Sequence, residues 1–297
     1  MKTAPSFRRV LLPAYIVFCA LLVSVASFAA EAKPALKRLL IVGQGSDGHP
    51  ATTHEFMPGA KALAGLLKAQ PGIQCTVVNG EEPWAGGPEL IDKSDGVALF
   101  VTQGAQWMQS DAKRYEALQR LAKRGGAITA FHWSVGAKDE KYIAGQLALL
   151  GGTRGGPQRK YKVLEVEMKR VNPKHPILTG LTDLKVFDEF YYALDLQPDI
   201  QPLYQVNIDG KDETCAWGWA RPDGGRSFGF VALHFHSNWQ LPEYRRLVVQ
   251  GVLWSLKLPI PDKGVSIGID RTLLELDGVL PPPAGPDVLK KPAKKQK

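Results

Sequence analysis

Four short apolar runs in the first half of the chain, each bounded by glycine or a turn, limit the architecture more than any other feature. Leu39-Leu40-Ile41-Val42 stops at Gly43, and Ile73 to Val78 follows Pro71-Gly72. Val97 to Thr102 follows Ser94-Asp95-Gly96, and Ala127 to His132 follows Gly125-Gly126. Runs this short, apolar at nearly every position, are expected of strands buried on both faces. Between them the period changes. Ala60, Leu63, Ala64, Leu66 and Leu67 recur at helical spacing after Pro58, as do Tyr115, Leu118 and Leu121 between Asp111 and Lys123, and Tyr142 to Leu150 makes a third helix. Strands alternating with helices in this way predict right-handed crossovers and an α/β fold with a doubly wound, mostly parallel sheet.

The second half changes character. Tyr161 to Met168 alternates, and strands are expected near Val186–Tyr192, Leu203–Ile208, Thr214–Trp219 and Ser227–His234, with a hairpin turning at Pro222-Asp223-Gly224-Gly225. These add antiparallel strands to the sheet. A last helix from Glu243 to Lys257 presents Tyr244, Leu247, Val248, Val252 and Trp254 to the body. After Pro261 periodicity fades, so residues 262–297 are expected to form an extended, Pro- and Lys-rich tail.

The N-terminus reads as a targeting segment. Lys2, Arg8 and Arg9 precede an apolar run from Val10 to Ala26, and Ser27-Phe28-Ala29 supplies small residues for cleavage before Ala30. An uncleaved anchor competes with this, because the run approaches the roughly 17–25 residues a span needs; Pro13 and the small-residue end favour cleavage. The expected organisation is a signal peptide over 1–29, a linker over 30–37, one domain over 38–261 and the tail. The mature protein is then exported, periplasmic or extracellular, and free of the membrane.

The formal charge of +8 invites a nucleic-acid reading. Three of the basic residues lie in the leader and five lysines follow Asp287, which leaves the body nearly neutral. Phosphate-backbone binding needs a basic face that such a body does not supply, so no nucleic-acid partner is expected. Cys75 and Cys215 are the only cysteines beyond the leader, and two thiols 140 positions apart set no disulfide framework.

Ligands of open α/β sheets bind outside the carboxyl ends of the strands. His49 and His54 lie in the loop after the first strand, His132 ends the fourth, and His234 and His236 end the last; only His175 is elsewhere. An alternating strand through Phe228-Gly229-Phe230-Val231-Ala232-Leu233-His234-Phe235-His236 would put both late histidines on one face. Grouped imidazoles either ligate a metal such as zinc or bond backbone groups at the rim. Asp188 and Glu189 are candidate proton carriers, one facing the core or cleft and the other solvent. Glu55 could serve similarly. Trp133, Tyr191 and Trp239 are candidate seats for a pyranose ring, and His236 is a candidate catalytic neighbour of His234. The loop Gly43-Gln44-Gly45-Ser46-Asp47-Gly48 is neither a P-loop nor a dinucleotide fingerprint, and no Gly-x-Ser-x-Gly elbow occurs.

In order along the chain, Leu39-Leu40-Ile41-Val42-Gly43, His54-Glu55, Gly125 to His132, Leu149-Leu150-Gly151-Gly152, His175 to Leu181, Asp188-Glu189-Phe190-Tyr191 and the block from Trp217 to Trp254 resemble the trehalose-utilisation (ThuA-like) family. The resemblance covers about Arg38 to Pro261. It implies the flavodoxin-like sheet of class I glutamine amidotransferases. Those enzymes carry a cysteine nucleophile after the strand matching Ala127–His132; here the place reads Phe131-His132-Trp133-Ser134, so amidotransferase chemistry is not expected. The family's histidines imply a divalent metal, zinc for example, on His54, His132 and His234, and a small carbohydrate or keto-sugar as ligand. Two functions follow as expectations: a metal-assisted hydrolase or lyase on a sugar, or a non-catalytic carbohydrate-binding domain.

Overall fold

Nine strands form one mixed sheet in the computed structural model, which describes Met1 and residues 36–289. The expected signal peptide and the lysines after Leu289 lie outside the described residues. In chain order the elements are β1 (Lys37–Gly43), α1 (Phe56–Leu67), β2 (Ile73–Asn79), α2 (Gly87–Asp92), β3 (Gly96–Phe100), α3 (Gly104–Gln109), α4 (Ala112–Lys123) and β4 (Ala127–Phe131). There follow β5 (Gly136–Ala137), α5 (Ile143–Leu150), β6 (Gly152–Gly155), β7 (Lys160–Arg170), β8 (Leu184–Tyr192), β9 (Asp195–Leu196), β10 (Gln201–Ile208), β11 (Lys211–Ala220), β12 (Arg226–Phe230) and α6 (Pro242–Ser255).

The order across the large sheet is β2-β1-β3-β4-β12-β11-β10-β7-β8. The first five are parallel, and the other four join antiparallel. The apolar runs account for the parallel half: Leu39 to Val42, all of β3 and all of β4 are buried, with α1 and α6 on one face and α3, α4 and α5 on the other. Asp111 caps α4 by accepting a hydrogen bond from the Arg114 amide. The six-residue helices α2 and α3 have too few turns for periodicity to reveal them. At the start of α3, Gly104 lies so close to Ser134 that an added Cβ would fall 2.1 Å from its carbonyl oxygen, so only glycine fits.

Two expectations are corrected. The last parallel strand ends at Phe230, four residues before His234, and Leu233 adopts φ +78°, so alternation does not carry on to His236. Residues 262–281 are not a free tail: Val265 and Leu274 are buried, Gln250 accepts a hydrogen bond from the Val265 amide, and Gln240 donates to the Pro281 carbonyl. Cys75 and Cys215 are both free thiols on strands separated by four others. No helix among the described residues is long and apolar enough to cross a membrane.

His175 is structural. It packs on Trp254, and its Nδ1 caps the turn at Pro176–Leu178 by accepting from the Ile177 amide at 3.2 Å. Burial, opposed by a hydrogen bond with Gln201, pulls its pKa from the usual 6.5 to about 4. The unfolded chain therefore takes up a proton that the folded chain refuses, and the stability this lends is present above pH 6.5 and lost as pH falls towards 4. Asn keeps the capping oxygen without the titration. Between pH 7 and 4.5, wild type should lose about 2 kcal/mol more unfolding free energy in urea than His175→Asn; equal losses would contradict this assignment.

Candidate metal centre and its pocket

The three histidines that gather at the carboxyl edge sit on backbone that the local sequence does not favour. His54 has φ +52° and His132, the first residue after β4, has φ +48°; His234 follows Leu233 at +78°. A left-handed non-glycine residue costs of order 1 kcal/mol or more and persists only where its surroundings hold it. Here they do. The His54 amide donates to the His234 carbonyl at 3.1 Å, and Thr53 bridges to Phe235, so the loop after β1 is stitched to the loop after β12. His132 opens the tight turn that follows β4 directly.

Each ring is oriented from behind. His54 Nδ1 lies 2.8 Å from Asp47 Oδ2, and a carboxylate can only accept, so Nδ1 carries the proton. His132 Nδ1 lies 2.9 Å from the Val231 carbonyl and must donate likewise. Both Nε2 atoms are then bare acceptors, yet they face each other at 3.0 Å. His234 Nδ1 adds a third nitrogen 3.2 Å from His132 Nε2. Burial drives the His132 pKa well below its usual value, reinforced by His54 and His234, and takes His234 to about 3. A shared proton is therefore a poor bridge. The Tyr191 hydroxyl, 3.1 Å from His132 Nε2, can donate to one nitrogen but cannot serve three.

Glu189 closes the group. Although β8 ends the strand order, the antiparallel half curls back far enough to bring Glu189 Oε1 within 3.8 Å of His132 Nε2 and 4.0 Å of His234 Nδ1. Burial raises its pKa to about 7, against the lowering effect of Arg154. His54, His132, Glu189 and His234 could thus hold a metal ion, their ligand atoms all lying within 4.8 Å of one another. Tetrahedral ligands about 2.1 Å from one ion stand roughly 3.4 Å apart, so the nitrogen separations fit with small adjustments.

The cluster opens into a pocket of about 430 Å³. Trp133 and Tyr191 line it, and Tyr191 stacks on His132. Trp239 does not. It packs against Phe100 beneath α1 and reaches only a small inner cavity, because the chain turns inward at His236–Gln240. His236 faces that inner cavity too, away from the pocket, with neither buried ring nitrogen in a well-formed hydrogen bond. Glu55 is occupied in accepting from the Thr52 amide. Asp188 faces neither pocket nor solvent; it is fully buried.

Asp47 and Arg154 were not singled out by sequence for this site, and His49 was read only as one of the rim histidines. Asp47 is the hub of the first loop: besides His54 it takes His49 Nδ1 at 2.7 Å and the Thr102 hydroxyl at 3.1 Å. Burial acts to raise its pKa, but the two imidazoles hold it well below the ordinary carboxylate range. His49 stacks on His54 and lines the pocket half-exposed. The spacing Asp47-x-His49 in a loop already rich in histidine was the available signal.

A family model described as trehalose utilisation (ThuA) matches residues 40–255. Among solved structures, the chain is similar to a ThuA-like protein from Bacteroides uniformis, at 14% identity and TM-score 0.57, covering 76% of this chain and 94% of that one. It is also similar to a cytoplasmic protein of Salmonella typhimurium, at 15% identity and TM-score 0.53, covering 74% and 99%. A glutamine amidotransferase from Thermotoga maritima matches at 12% identity and TM-score 0.39, over 74% and 96%. No curated protein sequence matches.

Asp188 holds the late loop in place. One oxygen accepts from the Glu189 and His234 amides, at 2.8 and 3.1 Å, and the other from the Leu233 amide and the Tyr244 hydroxyl, at 3.0 and 3.1 Å. Asp188→Ala strands these donors in the interior and should cost about 3 kcal/mol or more in urea unfolding. A loss below about 1 kcal/mol would show that the loop does not depend on it.

Proposed function

The chain belongs to the ThuA (trehalose utilisation) family, and on that premise we propose that it is a metal-assisted enzyme acting on a sugar-derived substrate. The observation that carries the reading is the pair of bare Nε2 atoms on His54 and His132 facing each other at 3.0 Å, with His234 Nδ1 beside them. The two Nε2 lone pairs repel each other, and a proton on His234 Nδ1 or the Tyr191 hydroxyl can serve His132 Nε2 but leaves His54 Nε2 facing it without a donor, whereas a cation among the nitrogens satisfies them together. A divalent ion such as zinc supplies Lewis-acid polarisation of a carbonyl or of water when bound at such a set.

The chain's own residues supply the rest. Asp47 and the Val231 carbonyl keep His54 and His132 in the tautomers that present Nε2. Glu189, facing the histidines from 3.8 Å, can take a proton from a substrate hydroxyl or water and return it to a leaving oxygen. His49, tied to Asp47 through Nδ1, offers its other nitrogen to a ligand in the pocket. Trp133 and Tyr191 give flat apolar walls on which a sugar ring can lie. Export of the protein belongs to the same reading and rests on the N-terminal residues alone.

Metal analysis of untagged protein, grown with added metal, tests the proposal. About one equivalent is expected, and His132→Ala should lose it while keeping its circular dichroism spectrum. Asp47→Ala should retain the fold but bind the metal about 10–100-fold more weakly. Protein free of metal after growth in supplemented medium would overturn the reading. Bound metal with sugars and keto-sugars left intact after long incubation would assign binding without turnover. For export, the processed protein should begin at Ala30 by N-terminal sequencing; an unprocessed N-terminus recovered outside the cytoplasm would contradict that.

A further inference from the structure

Three arginines are buried among the described residues, and two of them have an acidic partner. Arg114 pairs with Glu82, and Arg221 pairs with Asp223 while also donating to the carbonyls of Gly126 and Arg226. Arg154 is the exception. It is only 5% exposed, and its one hydrogen bond to the described residues runs from Nε to the Lys160 carbonyl at 3.2 Å. No carboxylate among the described residues lies within ion-pair distance of it, and Glu189 acts on it only from farther off. A buried cation with no carboxylate in contact is expensive, by several kcal/mol as an order of magnitude, and proteins rarely keep one without use for it.

The placing of Arg154 indicates the use. Its guanidinium is stacked among three aromatic rings, with Cζ 4.1 Å from the centroid of Tyr191, 4.8 Å from Trp133 and 5.4 Å from Tyr161. Together with the Nε bond these contacts fix the plane of the fork and leave both terminal nitrogens uncommitted in a residue that lines the open pocket. Arg159 and Lys138 line the same mouth. Arg159 spends one nitrogen on the Gly156 carbonyl at 3.0 Å, and the Lys138 ammonium has no partner among the described residues. Against these three cations the pocket wall offers one carboxylate, Glu189, which faces the histidines. Asp47 is already occupied by His49 and His54.

We propose that the mouth of this pocket is a subsite for an anionic oxygen group, and that the substrate is a sugar acid whose carboxylate is received by the free end of Arg154 with Arg159 and Lys138 around it. The proposal rests on the reading of the pocket as a substrate site and names the substrate's class. A fixed planar fork with two free nitrogens matches a planar carboxylate in bidentate fashion. Tyr191 sets the scale: His132 stacks on its ring and the Arg154 guanidinium lies over the same ring, so the anion subsite and the histidine cluster share Tyr191 as a common wall and lie within one sugar's length of each other. A single pyranose or open-chain hexose acid spans that interval with its carboxylate at the mouth and its hydroxyl or carbonyl end at the cluster. The pocket volume of about 430 Å³ suits a ligand of that size. A phosphorylated sugar shares the anionic chemistry, and its tetrahedral group would draw on all three cations at once.

The test is calorimetric titration of the full-length protein with glucuronate, gluconate, glucose 6-phosphate and neutral glucose. Each is run on protein as purified and again after chelator treatment. A sugar acid should bind at least about tenfold more tightly than glucose, as expected for a charge-assisted hydrogen-bonded pair. Raising the salt concentration should weaken the acid and not the neutral sugar. Lys138→Gln with Arg159→Gln, both at the mouth, should reduce the preference without changing the melting temperature. Arg154→Lys keeps the charge, loses the fork, and should weaken carboxylates more than phosphate. Tighter binding of glucose 6-phosphate than of either acid supports the anion subsite and assigns it to a phosphoryl group. Equal affinities for acid and neutral sugar, an acid preference untouched by the variants, or no binding of any of the four would overturn it. The anion preference should survive removal of metal, since the three cations do not depend on it. Loss of metal content and loss of anion preference therefore fail separately.

Discussion

Two imidazoles in this protein have had their choices removed. Asp47 can only accept and the Val231 carbonyl can only accept, so the Nδ1 protons of His54 and His132 are committed and their Nε2 lone pairs are left pointing at each other. In water each nitrogen would be solvated and the rings would drift apart. Buried as they are, they cannot readily be protonated, and rotating either ring would break the bond behind it. The reading of the site as a metal centre and the roles of the surrounding acids depend on this arrangement.

Holding it requires a scaffold that accepts unfavourable backbone. His54, His132 and Leu233 all adopt left-handed φ values that the local sequence does not invite. The compensation comes from hydrogen bonds between loops far apart in the chain: the His54 amide to the His234 carbonyl, and the Leu233 and His234 amides to Asp188. Asp188 is thus a structural acid, kept among apolar neighbours with its pKa raised to about 6 by burial while its hydrogen bonds oppose the rise. Its neighbour Glu189 points the other way and belongs to the pocket. Adjacent residues on a strand alternate faces, and here that separates a residue that supports the loop from one that meets the ligand.

The parallel half of the fold was legible because its strands are apolar on both faces and end at glycine, and the histidines at their ends were legible because the carboxyl edge is where such sheets bind ligands. Less visible was everything that depends on how loops and the antiparallel half close over that edge. Asp47 sits in a polar loop with no period, its one sign being the nearby His49, and Arg154 follows Thr153 on a four-residue strand with a glycine at each end and carries no local sign of its partners. His236 was expected beside His234 because nothing in Val231-Ala232-Leu233 announces a turn, and a leucine at φ +78° is the last residue from which one would be inferred. Trp239 was misplaced for the same reason: with the strand ending early, the turn after it carries the indole under α1 instead of into the pocket.

Crystals grown from metal-supplemented protein, with diffraction recorded on both sides of the absorption edge of the metal found in them, would test the central claim most directly. The account predicts one anomalous peak bounded by His54 Nε2, His132 Nε2 and His234 Nδ1, with Glu189 facing it and both Nδ1 bonds intact. A peak elsewhere, or none, with the two Nε2 atoms bridged by water or turned away from each other, would contradict it.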